Sequence, residues 1–379
     1  MKPYRMICAI LCSAAFGTAV PLPATAQDAG GTYAYVGART TERYNGAGKG
    51  IEVFRTGADG SWTHVETVDG PGNPSFLIRN QAGSLLFAVH GGLEEVTSFR
   101  IDPDTGSLTL LSSVDVGGVN PVHLALNSDE SFLVVANYTT GAVVSLPVNE
   151  DGTLGAVTGK LDLPGEPGPH RQQQPSSYPH QVLADPSRQV FIVPDKGLDR
   201  VFVVGLDGGG QLSILSETAT REGSGPRHGD FGKNAGEVYI VNELDSTITA
   251  YTYKDHQLTP FQIVSTLPDD FTSNSRAAAI DVADDGRHVY ATNRGHESIV
   301  RFVIDPETGR LSDPNWVSSG GKRPRFMMIS PSDDEVLVAN ELSHSIFGFR
   351  ISEADGTLTD ARMIVETGSP VAIEFGAAK

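Results

Sequence analysis

Two short stretches of this chain carry residue types that could do acid–base chemistry: Gly225-Pro226-Arg227-His228 and Asn242-Glu243-Leu244. The apolar segments beside them read as two strands joined by the turn Gly232-Lys233-Asn234-Ala235-Gly236. Antiparallel strands run in opposite directions, so the start of the first and the end of the second share one rim. A guanidinium, an imidazole and a carboxylate are therefore expected together at one sheet edge. Such a set could hold an anion, make a water nucleophilic and return a proton.

The elements that must position these groups repeat. First strands begin at Pro74, Pro121, Pro179, Pro226, Pro324 and Pro370, with a proline-free copy at Ser275, so successive starts lie 46 to 58 residues apart. A period of this length marks a propeller or a solenoid. Second strands follow in each unit, among them Leu86–Val89, Leu133–Ala136, Val238–Val241 and Val336–Ala339. They are β-branched and nearly continuous in apolarity, as strands buried on both faces should be. Hairpin turns such as Asp102-Pro103-Asp104-Thr105-Gly106 and Asp305-Pro306-Glu307-Thr308-Gly309 precede a more variable fourth strand. The pattern predicts an all-β fold, a seven-bladed β-propeller of four-stranded antiparallel blades. The chain starts on a second strand (Thr32 to Val36) and ends on a first strand (Pro370 to Phe375), so the C-terminal strand should close the ring on the N-terminal blade. An open superhelix is the alternative, but it would need terminal caps that the sequence lacks. One irregular insertion, Pro164 to Tyr178, enters on the Arg227 rim and could be a binding loop or a plain connection.

Comparison of the copies shows where the repeat departs from its own pattern. After the first-strand start come Ser75, Val122, His180, Arg227, Arg276, Arg325 and Val371. The end of the second strand reads His90, Tyr138, Lys196, Glu243, Arg294 and Glu341, with Gly37 or Ala38 in the first blade. All are expected at one channel mouth. The bland alternative is that a wet channel tolerates charge and that pairs such as Arg227 with Glu243 only satisfy each other. His123 and His228 either face the site or bond within the sheet; His64, His256, His288 and His344 are expected in solvent. No His-x-His pair, zinc-protease motif, calcium loop, nucleophile elbow or phosphate loop is present, so no metal or cofactor is expected.

Composition bounds the rest. The chain has 379 residues with 42 Gly and 23 Pro, which favours many turns over long helices. Residues 1–26 read as a signal peptide: basic Lys2 and Arg5, an apolar run from Met6 to Val20, and the small-x-small site Ala24-Thr25-Ala26. A retained N-terminal anchor is the alternative. Both cysteines, Cys8 and Cys12, lie in that segment, so residues 27–379 form one cysteine-free domain. Loss of Lys2 and Arg5 takes the formal charge from −18 to −20. Nucleic acid is thereby excluded as a partner, because phosphate-backbone binding needs a basic face. The reading is of a periplasmic or secreted monomer with no membrane contact once the leader is removed.

An ordered set of motifs carries a resemblance: Asn120-Pro121-Val122-His123, Val135-Ala136-Asn137-Tyr138, Pro179-His180, Gly225-Pro226-Arg227-His228, Asn242-Glu243-Leu244-Asp245-Ser246-Thr247, Asn293-Arg294-Gly295-His296 and Gly368-Ser369-Pro370-Val371. With Tyr35-Val36-Gly37 near the start, they span essentially all of residues 27–379. The chain resembles the seven-bladed propeller lactonases, which include propeller-type 6-phosphogluconolactonases and carboxy-cis,cis-muconate cyclases. The resemblance implies catalytic roles for His180, Arg227, Glu243 and Arg294. It departs at Lys196, where the family often has Leu, and at Ala279, where it often has Glu. Opening a lactone would use Glu243 as general base, arginines as oxyanion and anion clamps, and His180 as general acid. His123, His228, Arg276, Arg325 and Glu341 are the expected substrate-binding residues, for a small anionic lactone or carboxylate. The same groups could instead close a muconate, or bind an anionic ligand or partner without turnover.

Mass spectrometry of the exported protein should find Gln27 as the first residue; retention of residues 1–26 would contradict the leader reading.

Overall fold

The computed structural model describes residues 32–376; the leader expected at residues 1–26 lies outside the described residues. Seven sheets of four antiparallel strands account for the fold, with a three-residue 3-10 turn at Glu42–Tyr44 and no α-helix among the described residues. First strands of neighbouring blades touch around the full circle. The C-terminal strand Pro370–Phe375 pairs with Thr32–Ala38 and lies innermost in the N-terminal blade, as expected. The ring is therefore closed by hydrogen bonds between the two ends of the fold, and it exposes no sheet edge at a seam.

The core lies between blades rather than within one. Seven apolar clusters fill the seven inter-blade layers; Tyr239, Val241 and Ile248 of one blade pack on Ala277, Val289 and Val300 of the next. Second strands are buried on both faces, which is why they lack the polar alternation of a half-exposed strand. A buried tyrosine hydroxyl must find an acceptor. Tyr35, Tyr239 and Tyr290 each reach the hairpin glycine of the next blade, at the carbonyls of Gly106 (3.0 Å), Gly309 (2.8 Å) and Gly356 (2.7 Å). The Asp-rich turns thus lock one blade to another.

Two expectations need correction here. The Pro179 strand is reduced to a bridge at Pro179 and a two-residue strand, Leu183–Ala184. Gln181 compensates by exchanging two hydrogen bonds with the Gly229 backbone of the following blade, at 2.6 and 3.1 Å. Among the outlying histidines, His64 and His256 are exposed, but His288 is buried against the Gly356 turn. His344 is half-buried and accepts the Ser369 amide at 3.1 Å.

Part-buried carboxyls staple three first strands together. Asp230 accepts the Val282 amide at 2.9 Å, and Asp281 accepts the Ile329 amide at 2.8 Å. The two side chains also hydrogen-bond each other, which requires a proton between them. Burial, then the Asp230 carboxylate, pushes Asp281 well above the usual carboxylate range, and burial raises Asp230 as well. A carboxyl raised on folding stabilises fully below its unfolded pKa, about 4, and that contribution is lost as pH rises through the folded value. Asp281→Asn keeps the acceptor for Ile329 and a donor for Asp230 without the titration. Thermal melts should place this variant at or above the parent near about pH 8, with the gap closing near about pH 4. A parent more stable than the variant at high pH would contradict the shared proton.

Candidate active site

Backbone register decides which side chains meet. In four blades a buried asparagine, Asn137, Asn242, Asn293 or Asn340, pairs with Pro121, Pro226, Ala277 or Pro324; three of these pairs join the second-strand end to the first-strand start, and Asn293–Ala277 lies one residue inside its strand ends. Asp195, His90 and Ala38 hold the same place in the remaining blades. The side chain that points from this rim is the next one along. Its true set is Arg39, Gly91, Tyr138, Lys196, Glu243, Arg294 and Glu341.

The sequence comparison therefore slips in three places, by one or two residues. His90 is not a rim residue: it is buried, with Nδ1 at 3.0 Å from the Gly72 carbonyl and Nε2 at 2.9 Å from the Thr97 hydroxyl. Gly37 and Ala38 give way to Arg39. In the proline-free blade Ala277 holds the proline position, so Ala278, not Arg276, is the counterpart of Arg227. Arg39 follows Ala38, which stands where four blades have asparagine, so no Asn-x pair marks it in the sequence.

Glu243 is the hub. Its buried carboxylate has Lys196 Nζ at 3.0 Å on Oε1, with Arg227 Nε at 3.1 Å and Arg294 Nη2 at 3.0 Å on Oε2. Arg276 stands 3.8 Å from Oε1 and is half-exposed. Two backbone carbonyls also accept from these arginines: Arg227 Nη1 bonds the Ala278 carbonyl, and Arg294 Nη2 the Ala277 carbonyl at 3.0 Å, while the buried Arg294 Nε has no partner. Burial alone would raise the Glu243 pKa. Arg294, Lys196 and Arg227 outweigh it and hold the carboxyl well below its usual range.

Sequence reasoning puts Lys196 on the rim as a family departure and gives it no role. The structure makes it a close cation of Glu243, with further bonds at 3.1 Å to the Tyr138 hydroxyl and to Gln173 Oε1. Burial lowers its pKa, and Glu243 works against that shift. Gln173 belongs to the long insertion and also accepts from Arg276 at 3.2 Å. Gln174 beside it is buried and donates to the Lys196 carbonyl at 2.9 Å, while Tyr178 stacks on Tyr138 at 4.4 Å. The insertion is docked on the site rather than being a loose connection.

The imidazoles form a second group. His180 Nδ1 lies 3.2 Å from His228 Nε2, and His228 sits edge-on to His123 at 5.6 Å between ring centres. Burial, then the Arg227 charge, drives both His180 and His228 well below the ordinary imidazole pKa, so both are neutral near pH 7. His123 is pushed down to about 3, chiefly by burial, and packs on Phe76 at 4.0 Å. Arg325 has no hydrogen bond or ion pair among the described residues, and Glu341 pairs with Arg323 at 2.8 Å. Arg276, Arg294 and Arg323 line a cavity of ≈ 270 Å³ at this mouth. That is near the lower end of small-molecule sites, ~300–1,000 Å³. Larger hollows of ≈ 590 and ≈ 680 Å³ lie among hairpin turns and strand ends elsewhere and contain no imidazole. No group of three or more metal-ligating side chains occurs among the described residues.

Comparison with known proteins agrees with this geometry. The family described as "Lactonase, 7-bladed beta-propeller" matches residues 33–375. The chain belongs to the seven-bladed β-propeller lactonase family. It is 31% identical over 311 residues to the 6-phosphogluconolactonase of Bacillus subtilis, covering 80% of this chain and 87% of that one. A 6-phosphogluconolactonase of Formosa agariphila is 30% identical, covering 86% and 94%. The periplasmic gluconolactonase PpgL of Pseudomonas aeruginosa superposes with a TM-score of 0.84 at 30% identity, covering 92% of this chain and 99% of that one.

Because cations outnumber carboxylates in the cluster, removal of Glu243 should cost more stability than removal of any one cation. Glu243→Gln is expected to cost about 3–5 kcal/mol, the scale of an uncompensated buried charge, and Lys196→Met about 1–2 kcal/mol. Denaturant unfolding checks the order; a larger loss in Lys196→Met would contradict it.

Proposed function

We propose that this chain hydrolyses a small sugar-derived lactone carrying an anionic group, at the rim built on Glu243. The observation that carries the reading is electrostatic. Seven cations (Arg39, Lys196, Arg227, Arg276, Arg294, Arg323 and Arg325) crowd a mouth with two carboxylates, Glu243 and Glu341, on a chain whose formal charge is −18. A surplus of guanidinium beside neutral imidazole suits a reaction whose transition state gains negative charge. Relatives named for 6-phosphogluconolactone and gluconolactone hydrolysis point the same way. The leader read in the sequence and the periplasmic relative favour action outside the cytoplasm.

The geometry favours one division of labour over that expected from sequence. Glu243 is a poor base, because both its oxygens are committed to cations. Neutral His180, with Nδ1 turned to His228, is the better base. Its Nε2 would take a proton from water as the water oxygen bonds to the lactone carbonyl carbon. Arg227 and Arg294, held in place by Glu243, would stabilise the oxyanion. Collapse breaks the ring C–O bond, and the same proton passes from His180 to the leaving alkoxide, giving the hydroxy acid. His180 thus serves as base and then as acid, while Glu243 positions the guanidiniums. His228 would fix the His180 tautomer, and Arg276, Arg325, Glu341 and His123 would shape the remaining binding surface.

The purified mature protein, tested on aldonolactones, phosphorylated lactones and carboxymuconate, should release acid from an anionic lactone. His180→Gln should lower kcat by about two to four orders of magnitude, the scale of general acid–base catalysis. The acid limb of kcat/KM should fall below about pH 6.5, the ordinary imidazole value, because His180 stays neutral there. Binding without turnover would sink the enzyme reading; ring closure of muconate with no lactone hydrolysis would favour the cyclase.

A further inference from the structure

Next to the Glu243 cluster the first strands enclose a second, much smaller cavity of ≈ 20 Å³. Arg39, Ser75, His180, Arg227, His228 and Arg325 line it, with Phe76 and Phe326 among its apolar walls, so it borders the imidazole pair of the candidate site. Arg39 is only 3% exposed, yet its Nε and Nη1 have no hydrogen-bond partner within the protein. The buried Ser75 hydroxyl has none either. Burial and the neighbouring Arg325 pull the Arg39 pKa down to about 10. Glu341, the carboxylate that acts on Arg39, is already paired with Arg323 at 2.8 Å. A buried cation whose nearby carboxylate is shared with another guanidinium is costly, so something must offset it.

The side chain is held in this place by its backbone. The Arg39 amide bonds the Ser369 carbonyl at 3.0 Å, and Asn73 Oδ1 accepts the Thr40 and Thr41 amides at 2.8 and 3.1 Å. The guanidinium lies over the Tyr44 ring at 4.2 Å. It also occupies the space that a side chain at position 91 would fill. A Cβ on Gly91 would stand 2.1 Å from Arg39 Nη1 and 2.9 Å from Ser75 Oγ, so the two unpartnered groups converge on one point.

We propose that this cavity is a binding site for a single monoatomic anion of halide size, held by Arg39, Arg325 and the Ser75 hydroxyl. The inference does not rest on the proposed hydrolysis. Size sets the ligand class: a water needs roughly 10–15 Å³ of such space. A cavity of ≈ 20 Å³ therefore admits one atom of that order and excludes a phosphate ester or a sugar. The phenylalanine walls favour a weakly hydrated ion over a strongly hydrated one. Bound there, the anion would relieve repulsion among Arg39, Arg325 and Arg227 and so keep Arg227 free to pair with Glu243. The cavity is central in the ring, since its lining residues come from six of the seven blades.

The test uses bromide with the whole mature protein. Thermal unfolding is followed in sodium bromide against sodium isethionate at constant ionic strength, so that general screening cancels. A bound anion should raise Tm with the logarithm of bromide, by on the order of a few degrees over a hundredfold range. Arg39→Met should abolish the response and be at least as stable as the parent without halide. Ser75→Ala should keep the response with severalfold weaker apparent affinity. Anomalous scattering from bromide-soaked crystals should show a peak between Arg39 and Arg325, a readout that stands even if Arg39→Met fails to fold. Equal melting in bromide and isethionate, no peak, or a response retained in Arg39→Met would overturn the proposal. Equal stabilisation by phosphate would overturn the monoatomic assignment, and a peak without stabilisation would mean an adventitious ion only.

Discussion

The site depends on one carboxylate that satisfies more cations than it can neutralise. Glu243 lies within 3.1 Å of Lys196, Arg227 and Arg294, which come from three consecutive blades. Without it, those side chains would be like charges gathered in a poorly solvated channel mouth. With it they hold a net positive surface whose geometry is fixed before any substrate arrives. Preorganised charge of this kind is what an oxyanion requires, because the protein need not reorganise as the charge forms. Burial, and then the charge of Arg227, keeps the neighbouring His180 and His228 neutral.

Sheet register delivers these groups to one place. At its end, or one residue inside it, each second strand pairs with the first-strand start, so the following side chain projects from the same rim in every blade. The fold needs the paired residue and leaves the following one free. Arg39, Tyr138, Lys196, Glu243, Arg294 and Glu341 are the result. Gly91 shows how local the constraint is: the blade that supplies no side chain is filled by the guanidinium of the adjacent one.

The blade count, the closure and the core were legible because apolar second strands and proline starts recur with a steady period. His180, Arg227, Glu243 and Arg294 were legible for a related reason: they depart from a position that the repeat makes comparable. The errors came where the landmark itself was missing. The blade without a proline hid a two-residue offset, so Arg276 was matched with Arg227 although Ala278 holds that place. The N-terminal blade takes its first strand from the other end of the chain, so no local pair revealed Arg39. Lys196 was visible as a departure, but the partners that give it a role are distant in sequence. Tyr138 lies in the previous blade and Gln173 in an insertion with no repeat to compare against.

Those distant partners explain how this chain accommodates a lysine in place of a common leucine. An unpaired ammonium at that depth would be costly to bury. Here Glu243, Tyr138 and Gln173 take its three donors within 3.1 Å. The insertion that provides Gln173 is fastened in turn by Gln174 to the Lys196 carbonyl and by Tyr178 to Tyr138. Lysine and loop therefore form one unit: the loop satisfies the lysine, and the lysine gives the loop a fixed place against the mouth. A chain with leucine at position 196 would lose the anchor for Gln173, and with it the reason for the loop to lie over Arg276. The departure from the family pattern is thus better understood as a coupled change of residue and loop than as a single substitution, and it adds one more positive charge to a mouth that already favours anions.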